Sequence, residues 1–132
     1  MCAYAAFLSG REAAKYMVER QKGSIFFTGA TASIRGSAGY AAFASGKFAL
    51  RGLAQSMARE LGPENIHVAH LVIDAGVDTA FVRDRVRQAG NDPDTLTLMN
   101  PDSIAEAYWT LHHQTRDGWT HELDIRPFAE TW

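Results

Sequence analysis

Residues 39–79 read GYAAFASGKFALRGLAQSMARELGPENIHVAHLVIDAGVDT. Phe43, Leu50, Leu53, Met57 and Leu61 recur at helical spacing, which predicts a long helix over 40–61 with those residues on its inner side. Gly62-Pro63 supplies the breaker pair that ends it. His67 to Ile73 then form an apolar, β-branched run, the pattern of a strand covered on both faces. Asp74 to Thr79, with Gly76, reads as a loop.

The flanking sequence continues this alternation. Upstream, residues 3–20 predict a helix, with Ala3, Phe7, Ala14 and Met17 on one side and Arg11, Lys15, Glu19 and Arg20 on the other. Gly10 weakens that helix by about 1 kcal/mol relative to alanine. It opens almost at Met1 without an N-cap signal, so an upstream portion is expected to be missing. Ser24 to Thr28 read as a short buried strand, and the small, polar stretch from Gly29 to Gly39 as a loop. Downstream, 80–89 predict a short charged helix and 90–99 an exposed connector. Asn100-Pro101 open a further helix as N-cap and first residue, with Ile104, Ala107, Tyr108 and Leu111 facing inward. Trp119 to Arg126 read as a third strand, closed by Pro127. Strands separated by helical crossovers imply three parallel strands with helices on both faces, an α/β fold.

Composition agrees with one globular domain over 1–132. The chain is 46% hydrophobic and 21% charged, with 13 basic against 15 acidic residues. The near-neutral balance argues against a nucleic-acid partner. A single cysteine, Cys2, excludes an internal disulfide framework and fits a reducing compartment. No apolar run approaches the roughly 20 residues of a membrane span. The apolar patch from Ala3 to Leu8 lacks a basic segment before it, so no signal peptide is expected and the cytoplasm is the expected location.

The segment from Gly39 to Thr79 resembles the short-chain dehydrogenase/reductase family. The resemblance rests on an aromatic-x-x-x-Lys motif (Phe43 to Lys47), the helix from Phe48 to Leu61, the breaker, the Asn65-Ile66-His67-Val68-Ala69 strand and the Val77-Asp78-Thr79 loop. It continues through the last helix and the strand His121 to Ile125. It covers nearly the whole chain, yet corresponds to the C-terminal half of a usual family member. It implies a partial Rossmann-like, three-layer fold, whose strands would be the contiguous set 5-6-7 of a sheet ordered 3-2-1-4-5-6-7.

The resemblance also implies hydride transfer between a nicotinamide and a carbonyl or alcohol. In the family a tyrosine hydroxyl moves the proton, and a lysine four residues later lowers its pKa and bonds the nicotinamide ribose. A serine on the preceding loop polarises the carbonyl, and an asparagine of an earlier helix anchors a relay water. Carried over, the lysine is Lys47, the tyrosine position is Phe43, the serine position is Ala30 and the asparagine position is Cys2. The usual Pro-Gly reads Asp74-Ala75, while Val77 and Thr79, which hold the carboxamide in the family, stand as expected. Without the phenol, acid–base assistance worth roughly 10²–10⁴ in rate is lost. Tyr40 shares a helical face with Lys47 but sits about 10 Å away along the axis. It is either a substitute proton donor or a residue that caps or packs the helix start. Thr31 or Ser33 would replace the serine hydroxyl, or else serve the turn.

The family's first strand, glycine-rich turn and cofactor-selecting acidic or basic residue have no counterpart in this sequence. Thr28 to Gly36 briefly imitates the turn's Thr-Gly-x-x-x-Gly-x-Gly, but Ser33 and Arg35 put Cβ atoms where a backbone must approach phosphate. NAD(P) is therefore implied by resemblance, and no binding tighter than millimolar is expected of this chain alone. The first strand is expected to keep an unpaired edge. Helices 3–20 and 40–61, which form the family's subunit interface, are expected to build a homodimer or larger oligomer with 40–61 at its centre.

Other residues read as structural. His112-His113 point to different sides of a helix, His67 and His70 to opposite faces of a strand, and His121 alternates with Glu122, so no metal site is expected. Cys2 has no basic neighbour in sequence to activate it. Trp109, Trp119, Trp132, Tyr108 and Phe128 suit core packing or docking against another subunit. Arg83, Asp84, Arg85 and Arg87 form a solvated face, with a mobile lid over 78–99 as the functional alternative. The function expected is a truncated dehydrogenase/reductase-like protein with little or no activity alone. The alternatives are a non-catalytic oligomerisation or regulatory module, pairing with itself or a full-length relative, and a fragment of a longer protein.

Overall fold

The computed structural model describes residues 2–130. Its elements follow the predicted order: α1 (Cys2–Arg20), β1 (Gly23–Thr28), α2 (Ala41–Leu61), β2 (Ile66–Ile73), α3 (Ala80–Gln88), α4 (Pro101–His112) and β3 (Glu122–Ile125). The three strands form one sheet in the order β1-β2-β3, with both pairings parallel. β2 lies in the middle and all eight of its residues are buried, which is why it reads as an unbroken apolar run.

Strand alternation divides the core into two layers. Ile25, Phe27, Ile66 and Val68 pack with Leu50, Ala54, Met57 and Leu61 of α2, against which α1 also rests. Ala69, Leu71 and Ile73 pack with Met99, Ile104 and Leu111 on the α4 side. His67 and His70 do face opposite layers. His67 meets Phe26 edge-on and stacks on Trp119 at 5.0 Å between ring centroids. His70 reaches toward α2 and hydrogen-bonds Glu122.

Several expectations need correction. Phe7 and Phe43, assigned to inner helix faces, are 43% and 49% exposed. α1 turns Ala14 and Met17 to the core as expected, joined by Ala6, Ala13 and Val18 rather than Phe7. Gly10, read as a weak point, is the buried residue of α1, and a Cβ there would lie 3.0 Å from Met57 Cε and 3.2 Å from the Phe27 ring. Glycine thus lets α1 lie close against α2 and β1 at this point. The connector 90–99 is not wholly exposed. Pro93 and Met99 are buried, and Met99 bridges Val77, exchanging backbone hydrogen bonds with Gly76 and Asp78. The third strand is shorter than Trp119 to Arg126, because a turn at Arg116–Gly118 delivers Trp119 as a stacking group before pairing begins. Trp109 and Phe128 are 62% and 98% exposed, so core packing accounts for neither. Trp132 lies outside the described residues. Arg83 is less a free solvated charge than a clamp, bonded to Asp78 at 2.5 Å and Asp94 at 2.7 Å.

Candidate active site

All three strands are parallel, so their C-terminal ends converge at one end of the sheet, where the loops after β1 and β2 meet the start of α2. A depression of about 340 Å³ opens there, walled by Ala30, Thr31, Arg35, Tyr40, Phe43 and Ala75. Ala30, Tyr40 and Phe43, assembled from sequence alone, thus share one wall. A larger groove of about 470 Å³ lies elsewhere, between α1 and α2.

Lys47 sits one helical turn beyond Phe43. Its Nζ donates to the Thr28 carbonyl at 2.8 Å and lies 5.8 Å from the centre of the Phe43 ring. The ring offers that ammonium a weak cation–π contact and no proton. Tyr40 occupies the N-cap position of α2 without a side-chain cap bond and is 60% exposed. Cys2 comes beside the same turn of α2, its Cβ 3.7 Å from where a Cβ on Gly46 would stand.

Both hydroxyls of the turn after β1 are engaged. Residues Thr31–Ser33 form a single 3₁₀ turn. Ser33 is fully buried, and its Oγ accepts from the Ala30 N–H at 3.1 Å. Thr31 Oγ1 donates to Asp74 Oδ1 at 2.5 Å. Asp74 is fully buried, with Arg35 Nη2 3.4 Å from Oδ1 and Arg126 Nη1 3.8 Å from Oδ2. Arg35 also reaches Glu130 at 2.8 Å. In the sequence Asp74 stands out only as a departure from Pro-Gly. Nothing local signals that Arg35, Arg126 and Glu130 gather round it, because they arrive from other elements.

Val77 and Thr79 lie in the loop after β2. Thr79 N–H donates to the Val77 carbonyl at 2.8 Å, and Thr79 Oγ1 caps α3 by accepting from Val82 N–H at 3.3 Å. They are not part of the wall that holds Phe43.

Beneath the site, His70 Nδ1 lies 3.0 Å from Glu122 Oε2, and Arg51 Nε grips that oxygen at 2.7 Å. Burial holds the His70 imidazole below its ordinary pKa despite the carboxylate. Burial also works against the Glu122 carboxylate, but the hydrogen bonds from Arg51 and His70 prevail and keep its pKa low. His70 Nε2 is buried without a hydrogen-bond partner, and a Cβ on Gly29 would stand 2.5 Å from it. Glycine is therefore required where β1 turns into the site loop. Tyr108 of α4, read as core, sends its hydroxyl 2.6 Å from Thr28 Oγ1, and burial raises its pKa. Among the described residues no group of three or more His, Cys, Asp or Glu side chains is arranged to hold a metal ion. No helix among them is long and apolar enough to cross a membrane.

Known proteins with this arrangement are numerous. A solved short-chain dehydrogenase from Rhodopseudomonas palustris is 48% identical, superposes with a TM-score of 0.75, and is matched over 97% of this chain and 49% of its own. A 4-hydroxyisoleucine dehydrogenase complexed with NADH is 26% identical with a TM-score of 0.74, over 92% of this chain and 53% of its own. A serine dehydrogenase complexed with NADP+ shares the fold at 19% identity, with a TM-score of 0.82 over 96% and 53% of the two chains. Among curated sequences, the (21S)-21-acetoxyl-apo-melianone synthase of Melia azedarach is 33% identical over 93 residues, 64% of this chain and 34% of that enzyme. The chain therefore spans about half the length of these solved structures and about a third of the Melia enzyme. The sequence model described as short chain dehydrogenase matches residues 3–90. Parallel strands, the α2 helix with Lys47 one turn past an aromatic residue, and that match together make this chain a member of the short-chain dehydrogenase/reductase family.

Proposed function

We propose that this chain is a truncated, single-domain short-chain dehydrogenase/reductase that carries the substrate side of the pocket and has little or no hydride-transfer activity alone. The reading rests on Phe43. The family resemblance requires an ionisable hydroxyl one turn before the lysine, and a phenyl ring 5.8 Å from Lys47 Nζ has no proton to exchange. Lys47, Phe43, Ala30 and Tyr40 are the residues proposed at the catalytic position, with Lys47, Val77 and Thr79 on the nicotinamide side.

NAD(P) would supply the hydride, and the residues present fit only one end of it. The turn after β1, the candidate closest to a phosphate cradle, uses its own donors: Ala30 N–H is bonded to Ser33 Oγ, and Arg35 N–H to the Thr31 carbonyl at 3.0 Å. Ser33 is fully buried, so its hydroxyl is closed to an outside phosphate. Titration of NADPH and NADH, followed by fluorescence or calorimetry, is expected to show no binding tighter than millimolar. Micromolar binding overturns this reading. Phe43→Tyr is expected to restore a phenol beside Lys47 without restoring nucleotide affinity.

A second reading is an oligomerisation module, acting with itself or a full-length relative. What favours it is the groove between α1 and α2. The exposed ring of Phe7 borders it, and so do basic Arg11 and Lys15 and acidic Glu19 and Glu60, so two copies related by a two-fold axis can match charge to charge. The lone, exposed Cys2 suits the reducing cytoplasm proposed as its setting.

A further inference from the structure

The end of the sheet away from the candidate active site holds a separate polar recess. A pocket of about 200 Å³ lies where β1 and β2 begin and α4 ends, lined by Lys22, Ser24, Asn65, His67, His112 and Gln114. No carboxylate lines it, and the Lys22 ammonium has no hydrogen bond or ion pair among the described residues. The C-terminal end of α4 brings about half a negative charge, less than the full charge of Lys22. The pocket therefore suits a small anion.

His67 decides which kind of anion. Its ring is 3% exposed, and it is fixed by Phe26, which it meets edge-on, and by Trp119, on which it stacks with the planes 3° apart. Nε2 lies 2.8 Å from the Thr120 carbonyl. A carbonyl only accepts, so Nε2 carries the hydrogen and Nδ1 of the neutral ring presents a lone pair. No described protein group donates to Nδ1, and, unlike Nε2 of His70 and of His121, it is not closed off from solvent. The opening that His67 borders is this pocket. A partner for Nδ1 comes from outside the chain and must bring a hydrogen.

We propose that the pocket binds inorganic phosphate, the hydroxyl of hydrogen phosphate donating to His67 Nδ1 while Lys22 holds the charged oxygens. Asn65 Nδ2 spends one hydrogen on the Gln21 carbonyl at 2.7 Å, and Gln114 Nε2 one on Thr120 Oγ1 at 2.8 Å, so each amide keeps a second to donate. Sulfate has the shape of hydrogen phosphate and the same double charge but no hydrogen, so it sets a lone pair against Nδ1. The dianion of a phosphomonoester fails in the same way, because its fourth oxygen carries carbon. The ligand is thus the free ion and not a phosphorylated molecule. This inference is independent of the function proposed above, since the pocket and the depression share no residue.

The test is NMR of the full chain, isotopically labelled at the histidine nitrogens, at about pH 8, where imidazoles are neutral. There inorganic phosphate, sulfate and methyl phosphate are all chiefly dianions. At constant ionic strength, phosphate is expected to move the His67 Nδ1 resonance saturably. It is expected to bind about ten-fold more tightly than sulfate or methyl phosphate, the worth of one hydrogen bond to a charged group. His67→Phe, which keeps a ring on Trp119, is expected to bring phosphate down to the level of sulfate. Lys22→Gln, at an exposed position, is expected to weaken phosphate about five-fold. Sulfate or methyl phosphate binding as tightly as phosphate overturns the inference, and that comparison needs no variant. So does an absence of saturable phosphate binding, or binding that leaves Nδ1 unmoved or is undiminished in Lys22→Gln.

Discussion

His70 Nε2 is buried against Gly29 with no hydrogen-bond partner, while Nδ1 meets Glu122, which Arg51 holds from α2. The groups facing this imidazole are thus one carboxylate, one guanidinium and His121, whose charge also lowers its pKa. Burial is the largest cause, and the native state favours the neutral ring. Because the folded pKa lies below the unfolded one, the stabilisation is complete above about pH 6.5 and is lost as pH falls through the folded value. Glu122, also depressed, loses its contribution at still lower pH with the same sign. Thermal unfolding is therefore expected at falling temperature from pH 7.5 to pH 5, with a shallower slope in His70→Asn. A slope unchanged by that substitution would assign the acid sensitivity to other groups. The spacing of His67 and His70 told which faces they take, but not that His70 would be sealed behind a glycine. That contact joins β2 to a loop residue, Gly29, 41 positions earlier, and nothing near either residue marks it.

At the scale of the element, local signals carried most of the reading. Asn100 Oδ1 accepts from Asp102 N–H at 2.9 Å and Pro101 opens α4, as the Asn-Pro pair announced. Asn100→Ala is expected to cost about 1 kcal/mol in urea unfolding and Asn100→Asp much less, since the carboxylate can accept the same bond. At α2 the same kind of signal is absent. Tyr40 holds the N-cap position by backbone alone, its carbonyl accepting from Ala44 N–H at 2.8 Å. Its ring is left at the mouth of the depression. The apolar period of α2 was legible, yet it enrolled Phe43 on the inner face, where Ala44 is buried in its place. Period alone cannot tell which end of an apolar stripe runs past the edge of the sheet. In α2 the stripe outruns the core at its first turn, and the residue that escapes is the one at the site.

For the whole molecule, the groove between α1 and α2 is the surface proposed for pairing of copies. Light scattering at micromolar concentration is expected to give a dimer or larger species, and Phe7→Asp, which puts a charge on the groove's rim, to give monomer. A monomeric parent chain would sink the self-pairing module. What the amino-acid order determined by itself is the alternation of helices and strands, the parallel three-stranded sheet, the caps and breakers, and the missing phenol beside Lys47. These depend on neighbours a few residues apart, whose spacing is set by helix and strand geometry before any folding occurs. Tertiary structure decided the rest: Thr31 on Asp74 across 43 residues, His70 on Glu122 across 52, and Arg35 on Glu130 across 95. Such pairs exist only once register and crossover bring distant backbone into one place, so they are a property of the packed chain and not of any motif within it.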